Sequence, residues 1–233
     1  MLNTKQLAVP QHIGFIMDGN RRWAKERGLH TLEGHRRGYD NIKKVLQWCI
    51  DRGVKVVTVY AFSTENWNRP KNEVKYLMRL LAWAFKKELI DLQKKNVKVN
   101  FFGRLEGLPK NVQKELLVLL EKTKYNTKAV LNLAINYGGR AEILDAIKKL
   151  MKKSAEAFQL TELNFRNFLY NSSVPDPDLI IRTSGEQRLS GFLLWEAAYA
   201  ELYFTKRKWP EFSEKDLDVA IEDFAQRKRN FGA

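Results

Sequence analysis

The chain has 233 residues, 41 Lys plus Arg against 27 Asp plus Glu, a formal charge of +14 and 44% hydrophobic residues. That apolar share is enough for a real core and excludes a disordered chain. The single cysteine, Cys49, excludes a disulfide framework and a Cys-rich zinc site, and it is what a reducing, cytoplasmic compartment leads one to expect.

Taken in chain order, the N-terminal stretch MLNTKQLAVPQHIG has one Lys and no long apolar run, so no signal peptide is expected. No later segment approaches the roughly 18 uninterrupted apolar residues of a membrane span. Ile13–Met17 reads as a short strand ending at Asp18-Gly19-Asn20. Gly34–Arg52 reads as a helix with an apolar stripe from Tyr39 to Ile50, and Gly53 is placed to end it. Val54–Phe62, rich in β-branched residues, is a second strand. Asn72–Lys95 is a long helix, Val97–Phe102 a third strand, and a helix runs from near Pro109 to about Lys124. Ala129–Ile135 is a fourth strand, followed by helix to about Lys153 and again over Thr161–Tyr170. Asp178–Thr183 and Glu201–Phe204 are the last two strands, and Ser213, with Asp216 three residues on, caps a final helix. Strand and helix alternate about six times, which predicts a single α/β domain over residues 1–233 with a mainly parallel, helix-flanked sheet.

In such sheets ligands sit beyond the carboxyl ends of the strands. Four loops there are polar, and each carries arginine: Asp18–Trp23, Ser63–Pro70, Asn136–Arg140 and Arg182–Gly191. Glycine lets backbone N–H groups approach an anion, and the planar guanidinium binds phosphate. Each loop alone is an ordinary turn; four converging on one sheet edge describe a cleft for several phosphates. With 3 His and 1 Cys the chain lacks soft ligands, whereas a carboxylate such as Asp18 suits Mg²⁺. The long helix is apolar on one face (Val74, Leu77, Met78, Leu81, Phe85) and on a second (Tyr76, Leu80, Trp83, Ile90), so it is expected to be covered on two sides. Either it is a core helix also buried at a dimer contact, or one face lines an apolar cavity, and an apolar cavity below a phosphate-binding rim points to an amphiphilic substrate. The surplus positive charge fits nucleic acid, anionic lipid headgroups or phosphorylated small molecules. Lysines such as Lys148 and Lys152 read as a solvated helix face.

The segments His12–Ala24, Tyr60–Pro70, Asn136–Arg140, Asp178–Glu186 with Arg188, Ser190 and Phe192–Trp195, and Ala198–Phe204 resemble, in order, the signatures of the cis-prenyltransferases, the undecaprenyl diphosphate synthase family. The resemblance implies a Mg²⁺-dependent isoprenyl transferase. It would condense isopentenyl diphosphate with an allylic diphosphate, usually farnesyl diphosphate, in the Z configuration, on a six-stranded sheet with an apolar tunnel. It also implies a cytoplasmic homodimer, with membrane contact through the lipid product and no nucleic-acid partner. Residue by residue, it makes Asp18 and Asn66 catalytic, and Asp18 and Glu201 the carboxylates associated with the metal. Gly19, Asn20, Arg22 and Trp23, with Arg69, fall to the allylic diphosphate side, and Arg182, Arg188 and Ser190 to isopentenyl diphosphate. His35, Ser63, Glu65 and Trp67 fall near the reacting carbons, and the tail Arg229–Gly232 toward a partner subunit's site.

Three positions depart from the family pattern. Arg21 replaces a small residue, Thr31 an arginine expected on the allylic diphosphate, and Gln187 a common histidine. A non-catalytic partner subunit of the same family would have lost the Asp of the first signature, which is present here as Asp18. A basic nucleic-acid-binding protein is the rival from another class, but the chain has no zinc-finger, RNP or basic-helix motif.

Overall fold

The computed structural model describes residues 8–153, 160–170 and 172–228; the tail Arg229–Gly232 lies outside them. Six strands form one sheet: β1 (His12–Ile16), β2 (Val56–Ser63), β3 (Val97–Phe102), β4 (Ala129–Tyr137), β5 (Leu179–Arg182) and β6 (Glu201–Phe204). Their order is β3-β4-β2-β1-β5-β6, and every pairing is parallel, beyond the mainly parallel sheet expected. Parallel strands need crossovers, and here helices cover both faces. The central strands are therefore buried along their whole length: all of HIGFI in β1 and all of LIIR in β5.

The helices are α1 (Asn20–Glu26), α2 (Thr31–Asp51), α3 (Lys71–Lys94), α4 (Lys110–Thr123), α5 (Gly139–Lys153), α6 (Glu162–Arg166) and α7 (Glu214–Gln226). Two differ from the sequence expectation. The loop after β1 turns at once into α1, because Gly19 adopts φ 99° and lets the chain reverse into a helix. The helix expected over Thr161–Tyr170 is only the five residues of α6, closed by a Thr161–Asn164 capping box. The Ser213–Asp216 capping box of α7 forms as read.

Helix α3 is covered on one side by its own chain. Its inner face packs Met78, Phe85 and Leu92 into the core, but the described residues leave the second apolar face largely open: Trp83 is 47% and Ile90 63% exposed.

Strand order places the site. From β1 the chain builds outward through β2 on one side, while β5 lies on the other. The loops leaving β1, β2, β4 and β5 all lie at the carboxyl edge of the sheet, and the cavities open among them.

Candidate active site

Asp18 stands two residues beyond β1, and Arg182 is the last residue of β5, paired in register with Ile16. That register brings the guanidinium to the carboxylate: Arg182 Nη2 donates to Asp18 Oδ2 at 3.0 Å. Asp18 Oδ1 accepts from the Gly19 N–H at 2.7 Å and faces Arg22 Nη2 at 3.3 Å. Burial pushes the Asp18 carboxyl up, but Arg182, the Gly19 N–H and Arg22 more than offset it and hold the group below its ordinary range, so it is ionised at neutral pH. Gly19 cannot be replaced without strain, since a Cβ there would sit 2.7 Å from Ser184 Oγ as well as at positive φ.

Arg182 is 4% exposed. Its Nη1 donates to Ser190 Oγ at 2.8 Å and to the Arg188 carbonyl, so the loop after β5 is folded around the arginine. Glu186 ties this loop to α1, accepting from Arg22 at 2.9 Å and from Arg188.

After β2, Ser63 and Asn66 cap a short 3-10 turn over Thr64–Asn68, with Asn66 Oδ1 accepting from the Ser63 N–H at 3.1 Å. Arg69 follows and donates to Glu73 Oε1 at 3.1 Å. His35, in the first half of α2, donates from Nε2 to the same oxygen at 3.0 Å, and Arg21 lies 3.7 Å from the other. Burial lowers the His35 pKa; the Glu73 hydrogen bond opposes this and the Arg69 charge adds to it, leaving a neutral ring.

These groups frame two adjoining cavities, of about 720 and 620 Å³, which share Asp18, Tyr60, Asn66 and Arg69. The first is also walled by Arg21, Arg22, Thr31 and His35, and the second by Ser63, Glu65, Arg140, Arg182 and Ser190. Ala61, on the wall of the first cavity, also lines a narrow crevice of about 90 Å³ among Ile42, Leu46, Leu81, Phe85 and Leu133. Two arginine-rich cavities thus meet at one carboxylate, and an apolar crevice lies behind one of them.

Residues 16–232 match the family described as "Putative undecaprenyl diphosphate synthase". The chain belongs to this family. It is 49% identical to the isoprenyl transferase of Thermotoga maritima over 97% of this chain and 98% of that protein. It is 44% identical to the ditrans,polycis-undecaprenyl-diphosphate synthase ((2E,6E)-farnesyl-diphosphate specific) of Micrococcus luteus over 99% and 94%. The crystal structure of lavandulyl diphosphate synthase from Lavandula x intermedia, in complex with dimethylallyl diphosphate, superposes with a TM-score of 0.93 at 33% identity, covering 97% of this chain and 99% of that one.

Within this prenyltransferase fold, not every residue assigned from the signatures reaches the cavities. Gly19, Asn20, Arg22, His35, Ser63, Glu65, Asn66, Arg69, Arg182 and Ser190 do. Trp23 instead stacks under Arg27, whose guanidinium lies 4.6 Å from the ring. Trp67 donates from Nε1 to Asn136 Oδ1 at 2.7 Å and packs edge-on against Phe62, bracing the loop after β2 from outside. The Arg188 side chain is 60% exposed, pairs with Glu186 and lines neither cavity. Glu201 is not brought to Asp18 within one chain. It opens β6 opposite Leu179, three residues before the register of Arg182, and accepts from Arg227 at 2.7 Å. Asp18 lies on the order of 15 Å further along the strand direction at about 3.3 Å per residue.

Glu73, which holds both His35 and Arg69, is the residue beside the site that sequence reading missed. Read alone, it is one carboxylate in the first turn of a helix; its four-residue spacing from Arg69 was the available signal. Arg140, read only as part of a turn, also lines the second cavity.

Among the described residues no cluster of three or more His, Cys, Asp or Glu is placed to hold a metal. One ionised, partly exposed carboxylate at the junction of two arginine-lined cavities fits an ion that keeps several waters and completes its shell with phosphate oxygens.

Proposed function

We propose that this chain is a cis-prenyltransferase that condenses isopentenyl diphosphate with an allylic diphosphate, farnesyl diphosphate being the expected primer. Each addition creates a Z double bond, and the product is a medium- or long-chain polyprenyl diphosphate such as the undecaprenyl carrier precursor. The observation that carries this reading is the pair of arginine-lined cavities joined at Asp18 and Asn66, one of them backed by the apolar crevice at Ala61.

In this reading the first cavity takes the allylic diphosphate, held by Gly19, Asn20, Arg22 and Arg69. The second takes isopentenyl diphosphate, held by Arg182 and Ser190 with Arg188 in the loop between them. The allylic C–O bond breaks and its electron pair leaves with the diphosphate. The isopentenyl double bond forms the new C–C bond to the allylic carbon, and a proton then leaves the added unit. The arginines and the N–H groups at the start of α1 stabilise the charge that the leaving diphosphate gains; each preorganised donor of this kind contributes about 3–4 kcal/mol. Asp18 and Asn66, shared by both cavities, fix the distance between the reacting ends. Neutral His35 is held by Glu73 as a wall of the allylic cavity and adds no charge beside the developing cation. Asp18 would hold Mg²⁺, whose charge, when bound, neutralises part of the diphosphate. The growing chain enters the crevice beyond Ala61, a tunnel widened by the substrate.

The active form in this proposal is a cytoplasmic homodimer. Exposed Leu144, Met151, Leu163 and Tyr199, on or near α5 and α6, support a partner on that side. Among the described residues no helix is long and apolar enough to cross a membrane. The test is incorporation of labelled isopentenyl diphosphate by the purified chain, given farnesyl diphosphate and Mg²⁺. A labelled, butanol-extractable polyprenyl product is expected, and no incorporation under saturating substrates refutes the reading.

A further inference from the structure

The outer face of α3 carries exposed apolar side chains among cations. Trp83 and Ile90 are seven residues apart, so they point the same way to within about 20° on a helix that turns 100° per residue. They are 47% and 63% exposed, respectively. Arg79, Lys86, Lys87 and Lys94, all exposed, surround them, and the Lys87 ammonium sits 4.4 Å from the Trp83 ring centroid. The helix has three carboxylates, and none opposes this charge. Glu73 and Glu88 are buried, and Asp91 pairs with Lys95 at 3.0 Å.

This face also adjoins the apolar crevice. Tyr39, which lines the crevice from α2, packs edge-on against Trp83 with ring centroids 5.4 Å apart. One short step therefore separates the crevice from an exposed aromatic ring.

We propose that the outer face of α3 is a docking surface for an anionic lipid bilayer, with Trp83 and Ile90 entering the headgroup region and the surrounding cations lying over the phosphates. Tryptophan at an interface buries an apolar ring while its N–H stays hydrated. Lysine stems lie along the apolar surface with their ammonium groups in the headgroup layer. An amphipathic helix of this type lies in the plane of the membrane. The net charge of +14 draws the whole molecule to such a surface. The placement has a functional sense: a lipid product leaving the crevice between α2 and α3 would emerge where the bilayer begins. Only that last point rests on the prenyltransferase reading, because vesicle binding requires no turnover.

The experiment is co-sedimentation of the full chain with phosphatidylcholine vesicles, with and without phosphatidylglycerol, alongside tryptophan emission. Wild type is expected to bind the anionic vesicles and to blue-shift. The variant Lys86→Ala/Lys87→Ala/Lys94→Ala should lose about fivefold in partitioning per cation, on the order of a hundredfold in all. Trp83→Ser/Ile90→Ser should also abolish binding, whereas Trp83→Phe should keep binding and lose the shift. All variants should make product normally in detergent, which shows that they are folded. Failure of wild type to bind anionic vesicles, or unchanged binding by both multiple variants, overturns the proposal. So does a drop in oligomeric state in Trp83→Ser/Ile90→Ser, which would make a second copy the occupant. Duplex binding that needs the lysines but not Trp83 and Ile90 would make the face a nucleic-acid site instead. Loss of wild-type synthesis with vesicle binding intact would count against the enzyme assignment alone.

Discussion

Replacing Asp18 with alanine separates the roles that meet at this carboxylate. The side chain accepts hydrogen bonds from Arg182 at 3.0 Å and from the Gly19 N–H at 2.7 Å, and faces Arg22 at 3.3 Å. A hydrogen bond to a charged group contributes about 1.5–3 kcal/mol, but Asp18 is about a third exposed and Arg22 is on the surface, so screening reduces the total to about 2–3 kcal/mol. That corresponds to a fall in Tm of about 5–10 °C for a chain of this size, which leaves the protein folded. The carboxyl titrates below its ordinary 3.8, so this contribution is present at neutral pH and is lost as pH falls through the lower folded value. Catalysis should suffer far more, with kcat falling on the order of 10²–10³-fold. Pyrophosphate without added metal should bind Asp18→Ala at least as tightly as wild type, because Arg182 and Arg22 lose their internal counter-ion. Single-turnover incorporation of labelled isopentenyl diphosphate, calorimetry with pyrophosphate and thermal melts measure the three effects. An unchanged kcat, or a loss confined to KM, would refute the placing of Asp18 at the reacting centre.

Ala61→Leu should shorten the product without stopping the first condensation, because Ala61 forms the wall between the first cavity and the apolar crevice; reversed-phase chromatography of the products decides this. Arg188→Ala should raise the KM for isopentenyl diphosphate more than that for the allylic substrate and leave Tm unchanged, since its side chain is largely exposed and its carbonyl accepts from Arg182, which lines the second cavity. Equal effects on both substrates in a steady-state matrix would mean that the two cavities are assigned the wrong way round. Glu196 is fully buried, and burial first, then the neighbouring Glu142 charge, pushes its carboxyl up to about 8 from an ordinary 4.5. The folded chain therefore binds a proton that the unfolded chain releases: the contribution is full below about pH 4.5 and is lost as pH rises through about 8. Glu196→Gln should remove that slope, melting higher than wild type at about pH 9 and little differently at about pH 5.

Much of this protein is legible from local sequence. Strands such as His12–Ile16 and Leu179–Arg182 are short apolar runs cut off by polar turns, and the α/β alternation follows from their spacing. Arg182 ends a strand and the loops that carry Asp18 and Asn66 directly follow strands, so their place at the carboxyl edge is a consequence of chain order in a parallel sheet. Family resemblance in the same loops names their chemistry. Three further features depend on contacts between residues distant in the chain. Glu73 gains its meaning from His35, 38 residues away, and from the Arg69 beside it. Arg182 reaches Asp18 across 164 residues only because β5 pairs beside β1 rather than outside β2. Glu201 is kept from Asp18 within one chain because the register of β6 sets it at the opposite edge of the sheet. Periodicity shows that α3 is apolar on two faces, but it does not say which face finds a partner. That was decided when the sheet and α4 covered one face, leaving Trp83 and Ile90 exposed. A hydrophobic pattern records a need for burial, while the available neighbours are set by the order in which strands join the sheet.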